Sequence, residues 1–327
     1  LRHWAKSTGV DGFRLDLAVA FGRGADRRFD VDSPLLSLIE QDPLLSRLTI
    51  IAEPWDVGSD GYQLGRFPAR WLEWNDKYRD DVRRFWRGDA ASAGALATRL
   101  AGSSDLFGAA RRPSSSVNFI AAHDGFTLRD CVTFAAKNNL VNGEENRDGN
   151  DHEIAWPGGD ARALLATLFL SRGTPMLTAG DEFGRTQKGN NNAYAQDNAL
   201  TWLDWSTGDE TLIEYVAALA RLRIRFPQLS DDRFLTGAPD QEGLADAQWL
   251  AADGTAMDWG DHSARIVGLV LNKGGARIAI WLNAGPAAIV PRNPPRDGYQ
   301  WSREFCSAPG EGVPARAGAL YVEDRIK

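Results

Sequence analysis

Cysteine is nearly missing from this chain: Cys131 and Cys306 are the only two among 327 residues. Two thiols so far apart make neither a disulfide framework nor a metal-ligand spacing, and they read as reduced packing residues of a cytosolic protein. Long apolar runs are missing too. None approaches the roughly 20 residues that span a bilayer, and no charged segment followed by an apolar one opens the chain, so a membrane is not an expected partner. There is no Lys/Arg-rich block, and 37 basic against 44 acidic residues leave a net charge of −7. A phosphate backbone would be repelled, which sets nucleic acid aside. His, Cys and carboxylates nowhere cluster at ligand spacing, so no metal and no cofactor is expected.

What the chain has in quantity is tryptophan, twelve residues of it. Most Trp side chains pack cores, but their faces also stack on sugar rings. Short apolar runs alternate with helical periodicity: 10–16, 49–55, 70–76, 116–124 and 174–182 read as strands, and 34–48, 77–88, 161–173 and 210–226 as helices. Residues 1–7 read as the last turns of another helix. Alternation of this kind implies a parallel sheet covered by helices. Beyond residue 230 the segments 264–272, 276–284 and 319–324 shorten into an all-β pattern, a domain expected to be a β-sandwich over 231–327. The polar stretch "GNNNAYAQDN" reads as a loop on the ligand face.

Four of the five strands end in polar residues: Asp16, Glu53, Asn75 with Asp76, and His123 with Asp124. The carboxyl ends of parallel strands form the face where ligands bind. Alternation along a strand puts Arg14 on the same side as Asp16, where a guanidinium keeps the carboxylate ionised, as a nucleophile requires. Glu53 sits between an apolar run and Pro54-Trp55, surroundings that raise a carboxyl pKa, as a general acid requires. One ionised and one protonated carboxylate are what retaining glycoside hydrolysis uses, and a third can grip sugar hydroxyls.

The stretches "GFRLDLA", "IAEPWDVG" and "FIAAHDGFTLRD" resemble, in order and spacing, three signature regions of the α-amylase superfamily (glycoside hydrolase family 13). "DGYQLGRFPARWLEWNDKYRDDVRRFWRGD" and "GTPMLTAGDEFGRTQKGNNNAYAQDN" are similar to the isoamylase-type glycogen debranching enzymes of bacterial glycogen operons. The resemblance implies a nucleophile at Asp16, a general acid/base at Glu53 and a transition-state stabiliser at Asp124. It implies that Arg14 pairs with the nucleophile and that His123 bonds the sugar, with Trp55, Asn75, Tyr78, Asp181 and Asn191 lining the substrate. The implied substrate is a branched α-glucan, glycogen or limit dextrin.

The family fold is a (β/α)8 barrel. Residues 1–230 are expected to supply strands four to eight of it, with the third-strand signature and an amino-terminal β-sandwich upstream of Leu1. A part of a barrel is expected to be inactive alone and to aggregate or stay partly molten, since strand four keeps an unpaired edge. Two other readings stay open: an isoamylase or 4-α-glucanotransferase of the same superfamily, which shares the covalent intermediate, and a non-catalytic glucan-binding relative. Oligomeric state is not legible from the residues.

Overall fold

A computed structural model describes residues 1–327 apart from Ala25, Ala109 and Lys327. The first half runs α1 (Arg2–Thr8), β1 (Gly12–Leu15), α2 (Pro34–Gln41), β2 (Thr49–Ala52), β3 (Leu72–Asn75), α3 (Asp76–Arg87), α4 (Ser92–Leu100) and α5 (Ser104–Phe107). It continues with β4 (Ser116–Asn118), α6 (Leu128–Thr133), α7 (Ala161–Leu170), β5 (Thr174–Pro175) and α8 (Glu210–Arg225). Strands β1 to β5 pair in parallel, and their order across the sheet repeats their order in the chain. A doubly wound sheet would reverse at a switch point; an arc of a singly wound barrel does not. Among the described residues β1 has a neighbour on one side only.

Local chemistry sets the ends of these elements. The helix expected over 34–48 stops at Gln41, because Pro43 pushes Asp42 into extended backbone (ψ 123). The Asp42 carboxylate then accepts from the Leu44 and Leu45 N–H groups and starts a separate 3₁₀ turn over Leu45–Arg47. Helix α3 begins where the Asn75 side chain accepts from Tyr78 N, and ends at Gly88, whose φ of 86° suits glycine. The expected strands 116–124 and 174–182 shrink to three and two paired residues. Beyond both strands, irregular chain carries side chains to the rim.

The second half holds β6 (Ala247–Leu250), β7 (Ile266–Lys273), β8 (Ala276–Asn283), β9 (Tyr299–Cys306) and β10 (Ala317–Arg325) in one antiparallel sheet of order β6-β7-β8-β10-β9. Sequence periodicity misses β6 and β9, which are the two edges: one is short and the other is mostly exposed, so neither shows an apolar face. Among the described residues of this half the named strands form one sheet, and one of its faces packs Trp281, Val270 and Tyr321 against Val313 and Ile289. Those last two residues bridge within the chain after β8, and Asn293 accepts the Trp281 indole N–H at 2.8 Å.

The opposite face of this sheet merges with the helices behind the parallel strands. Leu269, Ile280, Leu282 and Leu320 share one buried cluster with Phe85, Trp86, Leu164, Leu168 and Leu219 of α3, α7 and α8. Trp86 is buried there with its indole N–H on Thr167 Oγ1 at 2.9 Å and its ring stacked on Trp156. Another cluster, Trp74, Val117, Phe119 and Ala122, gathers residues of β3, of β4 and of the chain that follows β4.

Candidate active site

The parallel register brings the ends of β1 and β2 together: Leu15 pairs with Ala52, so Asp16 and Glu53 follow side by side. Glu53 N donates to Leu15 O at 3.0 Å and Ala18 N to Glu53 O at 2.9 Å. Between them Leu17 takes a left-handed conformation (φ 44°), which aims its N–H at Glu53 Oε2, 2.7 Å away. A branched residue in that region costs about 1 to 3 kcal/mol, so the surrounding bonds must enforce it. Arg14 lies between the two carboxylates, with Nη1 2.6 Å from Asp16 Oδ1 and Nη2 3.1 Å from Glu53 Oε1. Its guanidinium sits 4.1 Å over the Trp74 ring, which fixes its plane.

The two carboxylates differ in environment. Asp16 is 68% exposed and Glu53 only 4%. Burial pushes the Glu53 carboxyl above the usual carboxylate range; the Leu17 N–H and Arg14 pull it down, and the negative Asp16 pushes it up again. An exposed carboxylate held by a cation beside a buried one whose pKa burial raises is the division of labour of a nucleophile and a general acid.

Beside Glu53 opens a cavity of about 280 Å³ lined by Glu53, Trp55, Tyr62, Trp74, Asp76, Arg79, Phe119, Ala122, His123 and Asp124. Thus Glu53, His123, Asp124 and Trp55 meet in one space, with Arg14 and Asp16 joined to them through the ion pairs. His123 Nε2 stands 3.7 Å from Asp124 Oδ2, and its ring meets the Trp74 ring edge-on. Trp55 bridges to Tyr62 across a tight hairpin, clamped by Arg23 on Asp56. The Tyr62 hydroxyl donates to Asp76 Oδ1 at 2.7 Å. Burial raises the pKa of both groups, and the charge of Asp76 adds to the rise of Tyr62.

Four expected lining residues are placed elsewhere. Asn75 is buried, capping α3 and donating to Ser103 Oγ and Ser116 Oγ. Tyr78 is fully buried between α3 and α7, bonded to Thr167 O and Ser171 Oγ. Asp181 is buried under α6, accepting from Leu128 N, its carboxyl pushed up to about 7 by burial. Asn191 is buried in a loop network with Asn139 and Asn150, and its carbonyl accepts from Gly125 N at 3.1 Å. Each supports the rim from behind without facing the cavity. Strand alternation holds the missed signal: Trp74 and Asp76 share the inner side of β3 and its extension, while Glu73 and Asn75 face out. Tyr62 left no such signal, because its place depends on the hairpin.

Among the described residues no group of three or more His, Cys, Asp or Glu is placed to hold a metal ion, and no helix is long and apolar enough to cross a membrane. Cys131 is buried and Cys306 half-buried, both as free thiols.

No protein-family model matches the chain. Curated proteins do. The glycogen debranching enzyme of Serratia proteamaculans is 51% identical over 274 residues, which cover 79% of this chain and 40% of that protein. The glycogen debranching enzyme of Escherichia fergusonii is 46% identical over 309 residues, covering 88% and 45%. The glycogen operon protein GlgX homolog of Mycobacterium tuberculosis is 45% identical over 298 residues, covering 83% and 41%. The chain therefore spans less than half the length of the curated relatives it matches. Among solved structures, pullulanase type I from Bacillus subtilis, complexed with maltose, superposes with a TM-score of 0.68 at 21% identity, covering 98% of this chain and 44% of that one. Pullulanase from Bacillus acidopullulyticus gives 0.66 at 19% identity, covering 98% and 39%. Over most of its own length the chain is similar in sequence to the glycogen debranching enzymes, and its fold, a parallel sheet with helices followed by an antiparallel sheet, is that of the pullulanases.

Proposed function

We propose that residues 1–327 carry the catalytic carboxylates of a retaining glycoside hydrolase that cleaves α-1,6 branch linkages of glycogen or limit dextrin in the cytoplasm. Asp16 attacks the anomeric carbon and forms a glycosyl ester. Glu53 gives its proton to the leaving oxygen, then takes one from the water that hydrolyses the ester. Asp124 and His123 hold the hydroxyls of the reacting sugar, and Trp55 offers its face to a neighbouring ring. The observation that carries the proposal is Arg14, which spans both carboxylates while their exposures differ so widely.

In the same proposal β1 to β5 are strands four to eight of an eight-stranded barrel over 1–230, with 231–327 as an accessory domain. The activity belongs to the full-length protein, and residues 1–327 alone are inactive; the one-sided pairing of β1 supports this. The test is Asp16→Asn in the full-length protein, read as reducing ends released from limit dextrin. A loss of about a thousandfold or more is expected. Activity within tenfold of the unaltered enzyme would sink the nucleophile assignment, and release of reducing ends by residues 1–327 alone would overturn the assignment of activity to the longer protein.

A further inference from the structure

The side chains of His123 and Asp124 are 54% and 74% exposed, so packing alone does not hold them in place. The backbone beneath them must, yet residues 119–127 belong to no helix or strand. One buried ion pair grips this irregular stretch on both sides. Arg83, on α3, donates through Nε and Nη2 to Ile120 O at 3.0 and 2.7 Å. Its Nη1 stands 2.9 Å from Glu153 Oε2, and Glu153 Oε1 accepts the Phe126 N–H at 3.0 Å. The cation therefore holds the chain before Asp124, and the carboxylate holds it after. The Arg83 side chain is 3% exposed and that of Glu153 10%.

Stability is a poor reason for such a pair, since apolar side chains of the same volume often serve as well. Direction is a better one. Outside itself the pair bonds to Ile120 O, Phe126 N and, at 3.4 Å, Ile154 O, and the first two flank the rim residues. The Glu153 carboxylate also lies flush against Gly125: a Cβ there would come within 2.6 Å of Oε1, and the φ of 84° suits glycine. Other bonds fasten the same stretch from elsewhere. Thr178 Oγ1 donates to Ala121 O at 2.9 Å, and Gly125 N to Asn191 O at 3.1 Å. The ion pair ties it to α3, whose amino-terminal end carries Asp76 and Arg79 into the wall of the Glu53 cavity. Arg83 lies one turn beyond Arg79, so one helix supplies part of that wall and locates His123 and Asp124 against it.

We infer that Arg83 and Glu153 are positioning residues: neither lines the cavity, and as a pair they set where His123 and Asp124 stand against Glu53. The inference rests on the hydrolase reading of the site. The experiment measures kcat and KM of the full-length protein on limit dextrin, at a temperature below the unfolding of every variant. Glu153→Gln turns an amide N–H toward either the Phe126 N–H or the Arg83 guanidinium, so the rate is expected to fall about a hundredfold, mainly in kcat. Arg83→Lys keeps the charge but cannot reach Ile120 O and Glu153 together, and it is expected to behave alike. Glu323→Gln is the control. It breaks a comparably buried ion pair, to Arg277 in the antiparallel sheet, and should lower stability while leaving kcat within about twofold. In an Asp124→Asn background Glu153→Gln should cost no more than about threefold further, because it acts through a group already removed. A full loss of about a hundredfold in that background overturns the inference, since the pair would then act independently of Asp124. Near-normal activity of Asp124→Asn itself overturns the reading of the site and the inference with it. A large loss in Asp124→Asn, with Glu153→Gln and Arg83→Lys both within about threefold of the unaltered enzyme, overturns the inference alone.

Discussion

At the scale of single residues, Arg14 sets the properties of both carboxylates. Arg14→Gln in the full-length protein removes the cation that lowers the Glu53 pKa, so the basic limb of the kcat/KM profile should move to higher pH. The rate should fall by about a hundredfold or more, because the nucleophile loses its orienting partner. A pH–rate profile checks both, and an unmoved limb would remove Glu53 from the acid role. Asp181 carries a second pH consequence. A carboxyl whose pKa is higher folded than unfolded adds stability below its ordinary range near pH 4 and loses it as pH rises through the folded value, here about 7. Thermal melts should therefore show stability falling between about pH 4 and 8, with Asp181→Asn flattening the fall by about 2 to 4 kcal/mol. Sequence could place Asp16, Glu53, His123 and Asp124 on one rim because each ends or follows a strand. It misplaced Asn75, Tyr78, Asp181 and Asn191 because burial depends on packing from elements distant in the chain. Asn75, for example, is covered by Ser103 and Ser116.

At the scale of elements, the parallel strands are very short, and much of their hold on the helices runs through buried polar side chains. Asn75 caps α3, donates to Ser103 and Ser116, and Ser116 donates in turn to Asn118. Asn75→Ala should cost about 2 to 3 kcal/mol in urea unfolding, one part for the lost cap and one for the hydroxyls left unpaired. Asn75→Asp keeps the acceptor for Tyr78 N and should cost less. Glu73 on the same strand is fully buried against Arg111 and also accepts from Gly65 N and Phe67 N. Glu73→Ala should cost about 3 to 5 kcal/mol, the effect of stranding a buried guanidinium. The strong helices α3 and α8 were legible because caps and periodicity agree on them. Helix α4 was missed: its N-cap position is Ala91, which has no capping side chain.

At the scale of the molecule, the two halves share a core, so neither should melt by itself. In the full-length protein calorimetry should show the two halves unfolding in one transition, and Leu282→Ala, on the antiparallel sheet, should lower it by weakening α7 and α8 packing as well. Several large apolar side chains of the first 40 residues, Leu1, Trp4, Phe21, Leu35 and Leu38 among them, are exposed, and among the described residues β1 pairs on one side only. Sedimentation of residues 1–327 should accordingly show association that grows with concentration, and Trp4→Lys with Leu38→Lys should reduce it. The bonds joining the ends of β1 and β2 bear on how such a protein can change over generations. Hydrogen bonds and ion pairs within residues 14–18 and 53 fix where Asp16 stands against Glu53. Of the stretch between them, β2 sets the register through its pairing with β1, and Leu36, Ile39 and Leu45 pack on both strands, so only the connections outside those residues can lengthen, shorten or be exchanged while the two carboxylates keep their distance.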